Sequence, residues 1–335
     1  TLRFRGWSAT TDAGSAWAAQ NGKIAMTATR RDGGALATVE KSSAVATTIA
    51  GLRMEASHTA YRIDPDSSAY AAMALSASTT VTTVFAEHAR ALGGRVDFKL
   101  GASVGAATGS LHLGPRAQLR WRPSAQFTLS GSYARLHQFA QSLRNPESVV
   151  GNIFPVDLYL GAGARHVRVA RSDQAVLAGD YRPWPNVRLG IQAYERRFDG
   201  LLLVAPREGE PFATGPFDIG SGASRGLSLD GGLTTARLGL VASYGLQHVR
   251  LATDGLSYVP ASGATHLLQA GVIVFPTASS SIRLGLEGGW GRRTTTIAGG
   301  FEWEACNLLD KGCEFSGSPH YGGEPLSGTV LPAYW

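Results

Sequence analysis

The residues best suited to holding a ligand gather between His137 and Arg171, where Phe139, Arg144, Tyr159, His166, Arg168 and Arg171 all fall in one stretch. An arginine fork grips a carboxylate or phosphate through two parallel hydrogen bonds, and an aromatic ring beside it stacks on a flat ligand. That chemistry suits a carboxylate or a catecholate. Taken singly, each arginine would also suit a phosphorylated surface or plain solvent.

Other reactive side chains are sparse. Cys306 and Cys313 are the 2 cysteines, in EACNLLDKGCEF. A disulfide closing a small loop fits them and implies an oxidising, extracytoplasmic setting, with two free thiols as the alternative. Zinc would need further ligands at close spacing, and His320, the nearest histidine, stands alone. The 8 histidines are scattered over separate segments, so neither a metal nor a cofactor is expected. LGAGARH, Leu160 to His166, lacks the third glycine and following helix of a dinucleotide fingerprint. GLSLDG offers no G-x-S-x-G elbow on a strand-to-helix turn, and Ser243 and His248 lie too far apart along one run to form a hydrolase pair. The chain is therefore expected not to be an enzyme.

The elements that would position these residues are strands. In RWRPSAQFTLSGSYARLHQF, Leu119 and Trp121 point one way before a proline turn, and Phe127, Leu129 and Tyr133 share a face after it. Ser and Thr take the other side. A period of two is the mark of a strand, whose successive side chains leave opposite faces. RVDFKLGASVG, QAVLAGDYRPW, VRLGIQA, ARLGLVASYGLQH and SIRLGLEGGWGRR repeat the pattern. Looser strands are read in RFRGWSA, GKIAMTATR, TTIAGLRMEASHTAYRI and TTVTTVFAEHA, giving roughly 13–14 strands in all.

The breaks have an order too. Short ones fall near Gly93–Gly94, Pro123–Gln126, Pro183–Asn186, Thr234–Ala236 and Pro276–Ser280. Longer ones lie between them, from Gly105 to Gly114, His137 to Ser172, Asp199 to Ser221, Arg250 to Gly263 and Arg292 to Gly328. A soluble meander has no reason to put its long loops at one end, whereas a membrane barrel has tight turns on one side and long loops on the other. Trp121 and Phe127, Tyr181 and Trp184, and Phe275 cluster at the short-turn end, as an interfacial aromatic girdle would.

Composition agrees. Only 17% of the 335 residues are charged, and 42 are glycine. Mean hydropathy is −0.04, so no apolar block approaches the ~20 residues of a membrane helix. A strand needs only about 9–11 residues to cross, half of them apolar. The net charge of +6 is dispersed rather than massed with aromatics, so no nucleic-acid partner is expected. No linker divides the chain, and TLRFRGW carries no signal-peptide pattern.

At this point a resemblance appears. HLGPRAQLRWRPSAQFTLSGSYARLHQF resembles the barrel of TonB-dependent outer-membrane receptors, through Pro115, Arg116, Trp121, Pro123, Ser132, Tyr133 and Arg135. The next hairpin matches through Ala193, Tyr194, Arg196 or Arg197, Asp199, Gly200 and Leu201. The strand after it matches through Arg225, Gly226 and Leu229, with Asp230 where Glu is common. Phe85, Ala86 and Glu87 match upstream, and GTVLPAYW is similar to the entry to a late strand. The likeness runs in order over residues 70–335.

The resemblance implies an all-β chain, an antiparallel transmembrane β-barrel in the bacterial outer membrane, with short periplasmic turns and long extracellular loops. Such barrels have about 22 strands around a plugged lumen, so residues 1–335 are expected to be a single barrel domain, incomplete at both ends. Pro332 breaks the strand leading to Trp335, and the plug lies outside the chain. The implied function is energised uptake of a scarce nutrient such as a metal chelate. Its partners would be outer-membrane lipid and lipopolysaccharide, the plug domain, TonB and a small-molecule ligand. The six loop residues named first would then be ligand contacts. Arg237, Arg283 and Glu287 would face the lumen, toward a plug or one another. The alternatives are a passive or structural barrel without a plug and a barrel hydrolase acting on lipid.

Overall fold

A computed structural model describes residues 1–19, 22–65, 73–142, 159–162, 167–204, 217–253, 256–260, 263–294 and 329–330. The first strands are long: β1 (Leu2–Ala19), β2 (Gly22–Ser42), β3 (Ala46–Pro65) and β4 (Met73–Leu92). Then come β5 (Val96–Ala107), β6 (Ser110–Trp121), β7 (Phe127–Gln138), and the short β8 (Ala140–Ser142) and β9 (Tyr159–Gly161). β10 (Ala170–Trp184), β11 (Val187–Val204), β12 (Phe217–Thr234) and β13 (Leu238–Thr253) follow. The last are β14 (Leu256–Tyr258), β15 (His266–Thr277), β16 (Ser280–Trp290), β17 (Arg293–Thr294) and β18 (Thr329–Val330).

The long strands form one 14-stranded sheet in sequence order, from β1 through β7 to β10–β13, β15 and β16, with β14 attached to β13. Every long neighbour is antiparallel, and β7 pairs β10 across the excursion that holds β8 and β9. β1 and β16 are the two edges and do not pair with each other.

Register decides which residues share a face. Ala117, Leu119 and Trp121 lie opposite Tyr133, Gly131 and Leu129, which in turn oppose Ala175, Leu177 and Gly179. The apolar series therefore continues sideways from strand to strand. It is bare: Leu111, Leu177 and Leu284 are 75%, 69% and 71% exposed. Among the described residues no large side chain is fully buried, so no second sheet or helix covers this face. A soluble sandwich would bury it. Each such leucine taken from water is worth about 1.5–3 kcal/mol, and hydrocarbon around the wall supplies that environment.

The opposite face carries small and polar residues, and several are small for a visible reason. A Cβ on Gly34 would fall within 2.4 Å of the Trp7 ring, its cross-strand partner. The expected strand stopping at Arg30 instead runs on to Ser42, because Gly33 and Gly34 are wall positions rather than a turn.

The short turns share one end. Gly93 and Gly94 adopt φ of 61° and 74°, which side-chain-bearing residues seldom reach. At another, Thr235 Oγ1 accepts from the backbone N–H of Leu238 at 3.0 Å. Phe127 and Tyr181 meet edge to face at this end with centroids 6.3 Å apart, beside the exposed Trp121 and Trp184, so the aromatic girdle is present.

One long break is not a loop. Between Gly105 and Gly114, β5 and β6 continue to the pair Ala107↔Ser110 and join through Thr108 and Gly109, with φ of 52° and 76°. Positive φ at both central residues makes the tight turn whose twist matches a hairpin. The glycines that suggested a loop line the wall: a Cβ on Gly114 would lie 2.8 Å from Ser103 Oγ. Thr108 is β-branched and strained in this region of φ. Thr108→Asn is expected to stabilise the hairpin by about 1 kcal/mol, measured as a higher urea midpoint in vesicles. The outward Leu177→Arg, midway along β10, should cost about 2–4 kcal/mol in the same assay. The inward Ser132→Arg should cost much less, and equal losses would contradict the two-faced wall.

Candidate ligand-binding end of the barrel

The long-loop end is built around Gln141, which is 5% exposed. Its Nε2 donates to the carbonyls of Arg168 at 3.0 Å and Gly200 at 2.8 Å, and its Oε1 accepts from Leu202 N–H at 2.8 Å. Gly200 sits at a register shift between Asp199 and Leu201 with φ of 73°, so its carbonyl leaves the ladder and needs this partner. One amide thus ties the β7–β10 excursion to the top of β11.

The returning segment touches the opposite side. Thr79 Oγ1 on β4 donates to Ala162 O at 3.0 Å, and Ala162 N–H donates to Phe139 O at 2.7 Å. A Cβ on Gly161 would fall 1.7 Å from Thr79 Oγ1, so only glycine permits this approach. Around it Met26, Ala28, Tyr61, Ala77 and Val81 are buried, although they belong to the wall's inner face. The excursion folds inward over β2–β4.

The six residues singled out from sequence separate. The ring of Phe139 lies edge-on to His112 at 5.5 Å and above Gly105, where a Cβ would meet it at 2.8 Å. Pairing of β6 with β7 stops at Arg116↔Ala134, next to Pro115, which has no N–H to give. His112 and His137 come together there, with centroids 5.2 Å apart. Arg168 is exposed and contributes its carbonyl to Gln141. Arg171 shares the outward face with Tyr133 and Arg135, and pairs Asp173 at 3.4 Å and Asp199 at 3.7 Å. Tyr159 is described only as a strand residue of β9. Arg144, His166, Cys306 and Cys313 lie outside the described residues.

An arginine–aromatic pair does face the lumen, but on β11. The Arg196 guanidinium lies over the Tyr194 ring at 5.1 Å. Tyr194 Oη donates to Gln247 Oε1 and accepts from Ser224 Oγ, both at 3.5 Å. Gly226 opposite is small because a Cβ there would meet the Tyr194 ring at 2.6 Å. The signal was in the sequence: Y-x-R puts both residues on one face of a strand. Residue type and spacing alone mark it as a family likeness and not as a site.

Lower on the inner wall, carboxylates are matched with cations. Glu87 binds Lys99 at 2.7 Å and lies 4.0 Å from Arg116, Asp97 binds Arg122 at 2.7 Å, and Asp180 binds Arg188 at 2.6 Å. Arg283 and Glu287 face inward on β16, opposite Ile273 and Gln269. Arg237 instead belongs to the Thr235–Leu238 turn. Ser243 faces inward and His248 outward, so they cannot act as a pair. Among the described residues no cluster of metal-ligating side chains occurs.

Solved structures share this architecture. The alcaligin outer-membrane receptor FauA from Bordetella pertussis aligns over 86% of this chain and 50% of its own, with TM-score 0.55 and 14% identity. The copper transporter OprC covers 88% and 49% at TM-score 0.61 and 11% identity. The siderophore receptor PirA from Acinetobacter baumannii covers 98% and 55% at TM-score 0.58 and 10% identity. The likeness is one of fold, an antiparallel β-barrel wall. The chain spans about half the length of the structures it matches. No family model and no curated protein matches it.

Removing the Gln141 side chain would orphan a buried N–H and two carbonyls at once. Gln141→Ala is expected to loosen the β7–β10 excursion by about 1–3 kcal/mol. Limited proteolysis of the protein in intact cells should then nick that segment at least several times faster, with the barrel itself still resistant. An unchanged cleavage rate would mean the anchor lies elsewhere.

Proposed function

We propose that this chain is barrel wall of an outer-membrane receptor that takes up a scarce nutrient, such as a metal chelate, in a step energised through TonB. A bare apolar face along the wall carries the reading, together with the barrel fold shared with solved receptors and a polar end over the lumen. The outward face needs hydrocarbon, and the aromatic girdle and long loops give it an orientation, with the loops outside the cell. The protein is not an enzyme in this reading, and its partners are the outer membrane's lipid and lipopolysaccharide, a plug domain and TonB.

Tyr194 and Arg196 are the proposed ligand contacts, with Phe139 and Arg168 at the mouth above them. A guanidinium held on a ring presents its free edge to an anionic chelate, and the ring supplies a stacking surface. The ion pairs lower on the inner wall suit a polar plug filling the lumen. A passive channel is the second reading.

Cells carrying and lacking the protein, given a panel of radiolabelled ferric and cupric chelates, separate the two. Uptake that depends on the protein and stops when a protonophore collapses the membrane gradient is expected. Protein-dependent uptake indifferent to the protonophore would establish the channel. Within the energised arm, Arg196→Gln should weaken uptake of the preferred anionic chelate about tenfold at limiting concentration.

A further inference from the structure

The outer face changes character toward the long-loop end. Up to Ala193, Leu227 and Leu246 it is apolar or small, and above them it carries Glu195, Arg197, Arg225, His248 and Arg250. Paired residues share a face, and the ladder runs Arg197↔Ala223↔Arg250 across β11, β12 and β13, with Glu195↔Arg225↔His248 one step below. Arg225 stands two residues from Ala223 on the same strand and face. Thus the guanidinium groups of Arg197, Arg225 and Arg250 surround one exposed methyl group. The outer two sit about 10 Å apart, two strand spacings, within reach of a common anion.

The cations of this cluster exceed its anions. Arg197 binds Glu195 at 2.8 Å, and Arg250 Nε approaches His248 Nε2 at 3.3 Å. Arg225 is exposed and makes no hydrogen bond or ion pair among the described residues. Asp199 and Asp173, the neighbouring carboxylates on this face, are engaged by Arg171 and Arg135. Immediately beneath lie Ile191, Leu229 and Leu246, exposed at 49%, 42% and 39%. A guanidinium group directly above apolar wall is placed for a molecule with a phosphate at one end and acyl chains below it.

We propose that Arg197, Arg225 and Arg250 form a phosphate-binding site for the lipid of the outer leaflet, the phosphorylated headgroup of lipopolysaccharide. The acyl chains lie along Ile191, Leu229 and Leu246, and Ala223 leaves room for the phosphate between the forks. The site rests on the reading of this chain as an outer-membrane barrel wall and is separate from the lumen.

The test uses the protein purified from native outer membranes in mild detergent, with native mass spectrometry counting retained lipopolysaccharide. The triple variant R197Q/R225Q/R250Q should retain about tenfold less than wild type, while the inward Arg283→Gln retains as much. Readdition of lipid A should restore occupancy in the wild type, and lipid A stripped of its phosphates should not. Equal retention by the triple variant, heat-resistant on gels and hence folded, overturns the site. So does inorganic phosphate that displaces nothing while dephosphorylated lipid binds as well as intact lipid. Absence of the wild-type protein from the outer-membrane fraction would instead overturn the barrel reading beneath it.

Discussion

The structure depends on where its leucines go. A single sheet has two faces and one interior at most, and here a series of large apolar side chains, Leu111, Leu177 and Leu284 among them, stands on a face that nothing among the described residues covers. In water such a sheet would collapse on itself or aggregate. In a bilayer the hydrocarbon is the other half of the core. The backbone can then remain a simple ladder, since between the edges β1 and β16 each strand's ladder groups are met by its neighbours and not by water.

The inner face follows from this. With hydrophobic burial assigned to lipid, the lumenal side is free to be small and polar, and it is packed by close approach rather than by bulk. Gly34 admits the Trp7 indole, Gly226 admits the Tyr194 ring and Gly161 admits Thr79. Each is a place where one large group needs a neighbour with no side chain. The ion pairs at Glu87, Asp97 and Asp180 lie on the same wall and are cross-strand, so they fix register as well as charge.

How much of this the sequence discloses depends on the residue. The alternation of Phe127, Leu129 and Tyr133 with Thr128, Ser130 and Ser132 is complete in the sequence, because a period of two is a local property. The short turns are equally local. Thr108 and Gly109 were hidden because their hairpin is lined by Gly105 and Gly114, and a run of glycine reads as loop whether or not strands pair there. β2 reads short in sequence for the same reason, since Gly33 and Gly34 lie beyond the GKIAMTATR alternation yet pair in the wall. Gln141 was invisible: its value lies in meeting Arg168 and Gly200, which are distant in sequence, and no local pattern announces it.

The motif Y-x-R shows where reading by residue type fails. Tyr194 and Arg196 on β11, and Tyr133 and Arg135 on β7, have the same spacing and share one face of their strand. Yet the first pair faces Ser224, Gly226 and Gln247 across the inner wall, and the second faces outward to Asp173. Only parity separates them. Arg196 is an even-numbered residue on a strand whose exposed apolar residues, Leu189 and Ile191, are odd, whereas Arg135 continues the series of Leu129 and Tyr133. Counting back to the nearest exposed leucine assigns the side of every arginine on these strands. By that count Arg171, Arg197, Arg225 and Arg250 belong to the membrane side, and Arg188, Arg196 and Arg283 to the lumen. The composition of the chain therefore says that arginine is plentiful, and the phase of the strand says what each one is for.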